Sequence, residues 1–147
     1  MWRRPEIDAE LRGFRQTHPP PIESVSSQVR TLLNQIHQGL FDASLNVKTL
    51  KSRCRIRNNN ISCYFKLETG TSIRNYIESL RLEAASLLLQ DGARSVFEVA
   101  QAIGYSHPQS FYRAFTRHFH CTPGAARRRY HPATGGSRQQ TTAWAKV

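Results

Sequence analysis

The side chains best suited to recognising another molecule lie within residues 106–119. Phenylalanines recur there at every fourth position, which places them on one face of a helix: Phe111, Phe115 and Phe119. The opposite face would expose amide, phenol, hydroxyl and guanidinium groups: Gln109, Tyr112, Arg113, Thr116 and Arg117. An amide can bridge adenine N6 and N7, and a guanidinium can donate to guanine O6 and N7. The pattern therefore favours DNA as the ligand of this helix.

The elements that must position this helix can be read from the residues before it. Ser95 and Glu98 form the S-x-x-E pattern of a capping box, which predicts a helix start. Gly104 suits a tight turn because glycine adopts positive φ at little cost. Ser106 is predicted to cap the second helix, with Pro108 in its first turn, where the missing N–H does no harm. This is the pattern of a helix-turn-helix, called unit two below.

Residues 46–69 form a weaker copy of the same pattern, called unit one below. Asn46 is predicted to cap a first helix, with a turn at residues 55–57 and a second helix from about Asn58 to Gly70. The inward-facing residues of that second helix are predicted to be Ile61, Tyr64 and Phe65. The outward-facing residues are predicted to be Asn59, Asn60, Ser62, Cys63 and Lys66. A plain helical hairpin is the alternative interpretation of this segment.

A long helix is predicted between the two units, over residues 72–90. Its apolar residues fall on one stripe: Ile73, Ile77, Leu80, Ala84, Leu87 and Leu88. Nineteen residues span about 28 Å at 1.5 Å per residue, which is close to one turn of B-DNA. The helix could therefore act as a rigid spacer between the two units. A further helix is predicted from Ile22 to Gly39.

Charge supports a polyanionic partner. The chain carries a formal net charge of +11 over 147 residues. An excess of nine positive charges lies within residues 45–130, and no acidic residue follows Glu98. Such a one-sided distribution is the electrostatic footprint of a nucleic-acid-binding protein.

Several other classes of protein are disfavoured. An apolar run of membrane-spanning length is missing, and the charged N-terminus does not fit a signal peptide, so we expect a cytoplasmic protein. We expect no cofactor and no enzymatic activity, because no phosphate loop, carboxylate pair or nucleophile–base set is apparent. His118, His120 and Cys121 do not match a zinc-ligand spacing, so we expect no metal site.

The two ends of the chain are expected to lie outside the folded domain. Residues 1–21 are interpreted as a flexible arm or linker remnant, with a short amphipathic helix as the alternative. That helix would carry Ile7, Leu11 and Phe14. Residues 131–147 are predicted to be disordered.

Residues 22–130 resemble the DNA-binding domain of the AraC/XylS family of bacterial transcription regulators. The resemblance rests on five motifs: FKLETG-x-S-x-x-x-Y from Phe65, R-L-x-x-A-x-x-L-L from Arg81, S-V-x-E-V-A-x-x-I-G-Y-S from Ser95, F-x-R-A-F-x-R-x-F from Phe111, and the T-P that follows. It implies an all-α, seven-helix, homeodomain-like fold in which unit one (about 46–69) and unit two (about 95–119) flank the linker helix. It also implies recognition helices in adjacent major grooves of promoter or operator DNA.

The resemblance has implications for partners as well. Larger family members carry an effector-sensing or dimerisation domain, for which the 21 residues ahead of Ile22 are too few. RNA polymerase is a further candidate partner, and the protein is expected at the nucleoid.

Unit one departs from the family pattern. Lys51 replaces a small alanine, Arg55 replaces the turn glycine, and Arg57 and Asn58 replace a Ser-Pro cap. An arginine at positive φ is strained by about 1 kcal/mol or more. In unit two, His120 stands where glycine usually ends the recognition helix. Unit two is therefore the better candidate for reading bases, and unit one for binding phosphates.

Aligning the recognition helices with the family gives the groove-facing residues, and helix caps and cationic side chains give the remaining phosphate contacts. The predicted base-reading residues are Asn59, Ser62, Cys63, His107, Gln109, Tyr112 and Arg113. The predicted phosphate contacts are Arg55, Arg57, Lys66, Ser95, Ser106, Arg117, Arg127 and Arg128. Some of them have a plainer alternative: Arg113 could bind phosphate or pair internally, Tyr112 could pack, and His107 could be a surface residue. Arg127 and Arg128 could simply keep the tail soluble.

Two other functions remain as alternatives at this point. One is a non-specific architectural or RNA-binding basic domain, which random DNA or RNA would compete away. The other is a thiol- or partner-controlled sensor built on the same domain, in which Cys63 could sense oxidants or the N-terminal arm could bind a partner.

Overall fold

The computed structural model describes residues 5–90 and 94–130, and within them the chain forms eight α-helices and no strand. The helices are α1 Pro5–Thr17, α2 Ser27–Gln38, α3 Val47–Arg53, α4 Ile61–Thr69, α5 Ile73–Leu88, α6 Val96–Ala102, α7 Pro108–Phe119 and α8 Pro123–Tyr130. The all-α prediction is confirmed. The seven predicted helices correspond to α2–α8, and α1 is an addition to them.

The prediction of a flexible N-terminal arm is wrong for α1. Its apolar residues are buried in the core: Ile7, Leu11 and Phe14. The helix packs against α5. Arg15 Nη1 donates a hydrogen bond of 2.7 Å to the backbone carbonyl of Gln38, and Glu10 forms an ion pair with the buried Arg94. The first helix is therefore part of the folded unit.

Local signals predicted several helix ends correctly. Asn46 and Ser95 each cap a helix through a complete capping box, the first with Thr49 and the second with Glu98. Gly70 ends α4 in the left-handed conformation, with φ 86°. These contacts satisfy backbone groups that a helix end leaves open.

Two predicted helix starts are wrong. The first turn of α4 begins at Ile61 rather than near Asn58, because the Asn58 side chain accepts a hydrogen bond from the Asn60 N–H and forms a turn ahead of the helix. His107, not Ser106, occupies the N-cap of α7, and it makes no side-chain cap hydrogen bond.

The linker helix α5 lies at the centre of the domain and contacts α1, α4, α6 and α7. It has 16 residues, or about 24 Å, which is shorter than predicted. Its predicted core stripe includes one error, because Leu87 is 47% exposed. In unit one, Tyr64 was predicted to face inward and is 44% exposed. Phe65, Phe111 and Phe115 are fully buried as predicted.

Two predicted features lie outside the described residues: the disordered tail at 131–147 and the first four residues of the N-terminal arm. In the described ranges, none of the helices combines the length and apolar character that crossing a bilayer requires.

Candidate nucleic-acid interface

Unit one holds its recognition helix through a strained turn. Arg55 adopts φ 55° between α3 and α4, the left-handed conformation that glycine adopts at lower cost. Its backbone N–H donates to the Ser52 carbonyl, and the next residue, Ile56, donates to the Lys51 carbonyl. The Arg55 side chain itself is exposed. The turn therefore has the positive φ expected of a glycine although an arginine occupies it, and the arginine side chain is exposed to solvent.

The predicted base-reading residues of unit one are accessible. Ser62, Cys63 and Lys66 lie on the exposed face of α4, and Asn59 lies in the exposed turn just before it. Phe65 and Ile61 anchor the opposite face in the core. This part of α4 therefore presents two small side chains and one ammonium group to solvent.

Two side chains on this surface were missed by the sequence reasoning. Leu67 is 74% exposed and Tyr64 is 44% exposed. Leu67 lies four residues after Cys63, so helical spacing alone could have placed it on the outward face. An exposed leucine on a recognition helix can contact a thymine methyl group, which adds an apolar element to the surface of unit one.

Unit two presents a more polar helix. Gly104, at φ 104°, forms the turn, and α7 follows with Pro108 in its first turn. Gln109, Tyr112 and Arg113 are exposed. Within residues 5–90 and 94–130, neither the Gln109 nor the Arg113 side chain has a hydrogen-bond or ion-pair partner. Both are therefore available to a ligand.

Two predicted phosphate contacts make contacts within the protein. Arg117 pairs with Glu78 of α5 at 3.1 Å. Arg127 Nε donates 2.8 Å to the backbone carbonyl of Arg94, which ties α8 to the segment before α6. This bond occupies one of the five N–H donors of the Arg127 guanidinium.

The phosphate-binding groups predicted at the helix starts of unit two, those of Ser95 and Ser106, differ from the prediction in their surroundings. The Ser95 backbone N–H donates to the Glu98 carboxylate at 3.1 Å, and the Ser95 hydroxyl accepts from the Glu98 N–H. The capping box thus occupies these groups and leaves a carboxylate beside them. Ser106 is exposed, but it lies one residue before the N-cap of α7, a position that His107 occupies.

The remaining predicted phosphate contacts are exposed cations: Arg55, Arg57, Lys66 and Arg128. Three of them belong to unit one and one to α8. Exposed guanidinium and ammonium groups bind backbone phosphates without reading sequence. The structure therefore keeps a basic surface around unit one, as the sequence predicted.

The two recognition helices meet α5 on different faces. Phe65 of α4 contacts the ring of Tyr76 at a centroid distance of 5.7 Å, and Arg117 of α7 pairs with Glu78. Positions two apart on a helix point about 160° apart, to nearly opposite faces. The recognition helices α4 and α7 therefore pack on different sides of α5. The distance between them depends on the diameter of α5 as well as on its length.

The thiols and imidazoles do not form a cluster in the described part of the chain. No group of three or more histidine, cysteine, aspartate or glutamate residues there could hold a metal ion. Cys63 is the exposed free thiol, on the recognition helix. Burial raises the pKa of the thiols of Cys54 and Cys121, which disfavours the reactive thiolate at both.

Comparison with known proteins identifies the family. The profile of an AraC-type helix-turn-helix domain matches residues 50–129, more than half of the chain. The chain belongs to the AraC/XylS family. The match covers most of unit one, all of α5 and unit two, and α8 as far as residue 129.

Relatives of known sequence agree with this assignment. YobQ, an uncharacterized helix-turn-helix transcriptional regulator of Bacillus subtilis, is 34% identical over 95 residues, which are 65% of this chain and 39% of YobQ. The regulatory protein SoxS of Salmonella typhimurium is 29% identical over 69% of this chain and 94% of SoxS. The Msm operon regulatory protein of Streptococcus mutans is 24% identical over 83% of this chain. The chain spans 44% of that protein's length and less than half of YobQ.

Solved structures share the fold. The C-terminal domain of AraT, a response regulator from Geobacillus stearothermophilus, matches with a TM-score of 0.69 and 21% identity over 80% of this chain and 97% of that domain. A probable AraC family transcriptional regulator from Rhodopseudomonas palustris matches with a TM-score of 0.61 and 26% identity over 73% of this chain and all of that one. The DNA-binding domain of AdpA, solved with a target DNA, matches with a TM-score of 0.63 and 24% identity over 74% of this chain and 99% of that domain.

Proposed function

We propose that this AraC/XylS family chain is a sequence-specific double-stranded DNA-binding transcription regulator, with α4 and α7 entering adjacent major grooves. The observation that carries the proposal is the outward face of α7. Gln109 and Arg113 are exposed there one helical turn apart, on a helix fixed to the core by Phe111 and Phe115. The DNA-bound structure of the AdpA domain, which has the same fold, supports it.

Unit two is proposed to supply most of the base choice. Arg113 can donate two hydrogen bonds to guanine, and Gln109 can bridge the N6 and N7 atoms of adenine. Tyr112 is 45% exposed between them, and His107 lies at the helix start that enters the groove first. The rigid support of α7 matters because base-edge hydrogen bonds require fixed donor positions.

Unit one is proposed to supply affinity, with a weaker base preference. Arg55, Arg57 and Lys66 are exposed around α4 and would neutralise phosphates. Each neutralised phosphate releases condensed counterions, so binding should weaken steeply with salt. Asn59, Ser62, Cys63 and the apolar Leu67 would contact base edges, including a thymine methyl.

The proposed DNA ligand indicates a cellular location and a protein partner. A protein that acts on chromosomal promoter DNA works in the bacterial cytoplasm at the nucleoid, and RNA polymerase is the proposed partner there. The family and the fold are those of transcription regulators, and the proposed binding of DNA by this surface needs no cofactor.

Selection of bound duplexes from a random pool tests the proposal. We expect enrichment of a site with two half-sites on one face of the duplex, about 10 base pairs apart. Enrichment of no sequence, with equal competition by random DNA or by RNA, would instead support the non-specific architectural or RNA-binding function. Binding by the wild-type protein should be the same before and after mild oxidation, and a loss of binding on oxidation that the triple Cys→Ser variant does not show would support the thiol-controlled sensor.

A further inference from the structure

Arg81 is a buried arginine on the linker helix that DNA cannot reach. It is 8% exposed, which is rare for arginine unless its donors are paired. Its Nε donates 2.8 Å to the backbone carbonyl of Leu40, and its Nη2 donates 2.7 Å to that of Asp42. Both carbonyls belong to the segment between α2 and α3. The guanidinium thus fixes α5 to the chain that enters unit one.

The turn of unit two closes on the other side of the same guanidinium. A Cβ atom at Gly104 would lie 3.0 Å from Cζ and from Nη2 of Arg81, closer than side chains normally approach. The Tyr105 ring lies under the guanidinium, with its centroid 5.9 Å from Cζ. Gly104 is therefore required twice, by its φ of 104° and by its contact with Arg81.

Further contacts connect the surroundings of Arg81 to α3 of unit one and to α7 of unit two. In unit one, the Asp42 carboxylate accepts from Arg53 of α3 at 3.4 Å. In unit two, the Tyr105 ring packs on Phe111 of α7 at a centroid distance of 5.6 Å. Arg81 is thus the link in a continuous chain of contacts from α3 to the recognition helix α7.

We propose that Arg81 is a positioning residue that sets the orientation of unit two relative to unit one, and through it the half-site spacing that the protein prefers. The planar guanidinium suits this role because its donors leave in fixed directions and can bind two carbonyls at once. A lysine ammonium has no such fixed fork. The inference rests on the proposed function, since it assumes that both units contact one duplex.

A purely structural role for Arg81 makes a different prediction. If Arg81 only stabilised the fold, its loss would lower the melting temperature and weaken binding to every duplex by the same factor. A positioning role predicts instead that discrimination between spacings is lost, while each unit retains its affinity for its own half-site. Affinity measured against spacing separates the two.

The test uses the full chain and a bipartite duplex obtained by selection with the wild-type protein. Dissociation constants are measured for duplexes whose half-sites are one or two base pairs closer or farther apart, and for duplexes with one half-site. We expect the wild-type protein to prefer its own spacing by about tenfold or more, because two linked contacts gain affinity only when the geometry allows both. Arg81→Met should reduce this preference to about twofold and leave single-half-site binding within about twofold of wild type.

Matched variants complete the experiment. Arg74→Met removes the same charge from an exposed position on the same helix and should keep the wild-type spacing preference. Arg81→Lys keeps the charge, and Gly104→Ala pushes a methyl group against the guanidinium. Both variants should reduce the preference for the wild-type half-site spacing. Circular dichroism identifies which variants are folded. If Arg81→Met does not fold, Arg81→Lys and Gly104→Ala decide the outcome.

Two results would overturn the inference. One is a folded Arg81 variant that keeps the wild-type spacing preference, or that weakens all duplexes by one factor. The other is a wild-type protein that binds a selected site but shows no spacing preference, which would contradict the proposed two-groove function as well. The first result leaves the proposed function standing, so the two failures are distinguishable.

Discussion

At the scale of single residues, the exposed groups of α7 are expected to determine which bases are read. Replacing Gln109 or Arg113 with alanine should each cost about 1–3 kcal/mol at one or two base pairs and relax preference there. The measurement is competition binding with duplexes that differ from the selected site at one base pair. Arg128→Ala, which removes an exposed charge from α8, serves as control and should weaken all duplexes alike. Equal losses on specific and random duplexes in the Gln109 and Arg113 variants would contradict their assignment.

Phosphate contacts in unit one should behave differently from base contacts. Lys66→Ala or Arg57→Ala is expected to weaken binding to all sequences and to reduce the slope of log affinity against log salt by about one unit each. Titrations at several salt concentrations measure the slope. Arg12→Ala removes a charge from the exposed side of α1 and should leave the slope unchanged. A loss confined to one base-pair position would show that Lys66 or Arg57 reads sequence.

His37 makes the stability of the fold depend on pH. Burial lowers the pKa of its imidazole, an effect to which the nearby His18 charge adds and which the His18 backbone opposes. Its Nε2 lies 2.7 Å from the hydroxyl of Tyr76, whose pKa burial raises to about 12. Below about pH 6.5 the unfolded chain binds a proton at His37 that the folded chain excludes, so stability falls as the pH is lowered.

Thermal melting between pH 8 and pH 5 tests this dependence. We expect the melting temperature of the wild-type protein to decrease below about pH 6.5, and that of His37→Gln to decrease less over the same range. The melting temperature of the variant at pH 8 provides the baseline for the lost hydrogen bond to Tyr76. Identical pH profiles for the two proteins would show that His37 does not contribute to the dependence.

At the scale of elements, α1 should contribute to the stability of the domain. Leu11 is 4% exposed, and its truncation to alanine should cost about 2–5 kcal/mol in the free energy of unfolding. Gln16→Ala, on the exposed side of the same helix, should change it by less than about 0.5 kcal/mol. Denaturant unfolding provides both values. If Leu11→Ala is as mild as Gln16→Ala, α1 is not docked in solution.

The elements predicted correctly from sequence were those with local signals. A capping box at Ser95 or a glycine at position 104 acts within a few residues, so the sequence shows it directly. Helical spacing also identified Phe111 and Phe115 as core. In each of these cases the decisive partners are close along the chain.

The errors arise where the decisive partner is distant in sequence. Amphipathic spacing suggested that α1 could form, but only the fold shows that α5 covers its apolar face. Tyr64 and Leu87 remain 44% and 47% exposed, and helical spacing does not show how much of a face the rest of the fold covers. Arg127 looked like a free cation, yet its Nε binds the carbonyl of Arg94, 33 residues away. Sequence spacing cannot reveal such contacts.

At the scale of the whole molecule, recognition of adjacent grooves requires that α5 hold the two recognition helices in a fixed relative orientation. Phe65 and Glu78 fix α4 and α7 to different faces of this helix, and Arg81 binds the entry of unit one beneath the turn of unit two. The positive charge concentrated in residues 45–130 would attract the duplex, and the fixed helices would then select the register.

A hydroxyl-radical footprint on the selected duplex shows whether both recognition helices bind at the same time. We expect two protected patches on one face of the duplex, centred about one helical turn apart, one assigned to each unit. Arg113→Ala should weaken protection in the patch of unit two more than in that of unit one. A single protected patch, or uniform protection along the duplex, would contradict the claim that both helices read adjacent grooves.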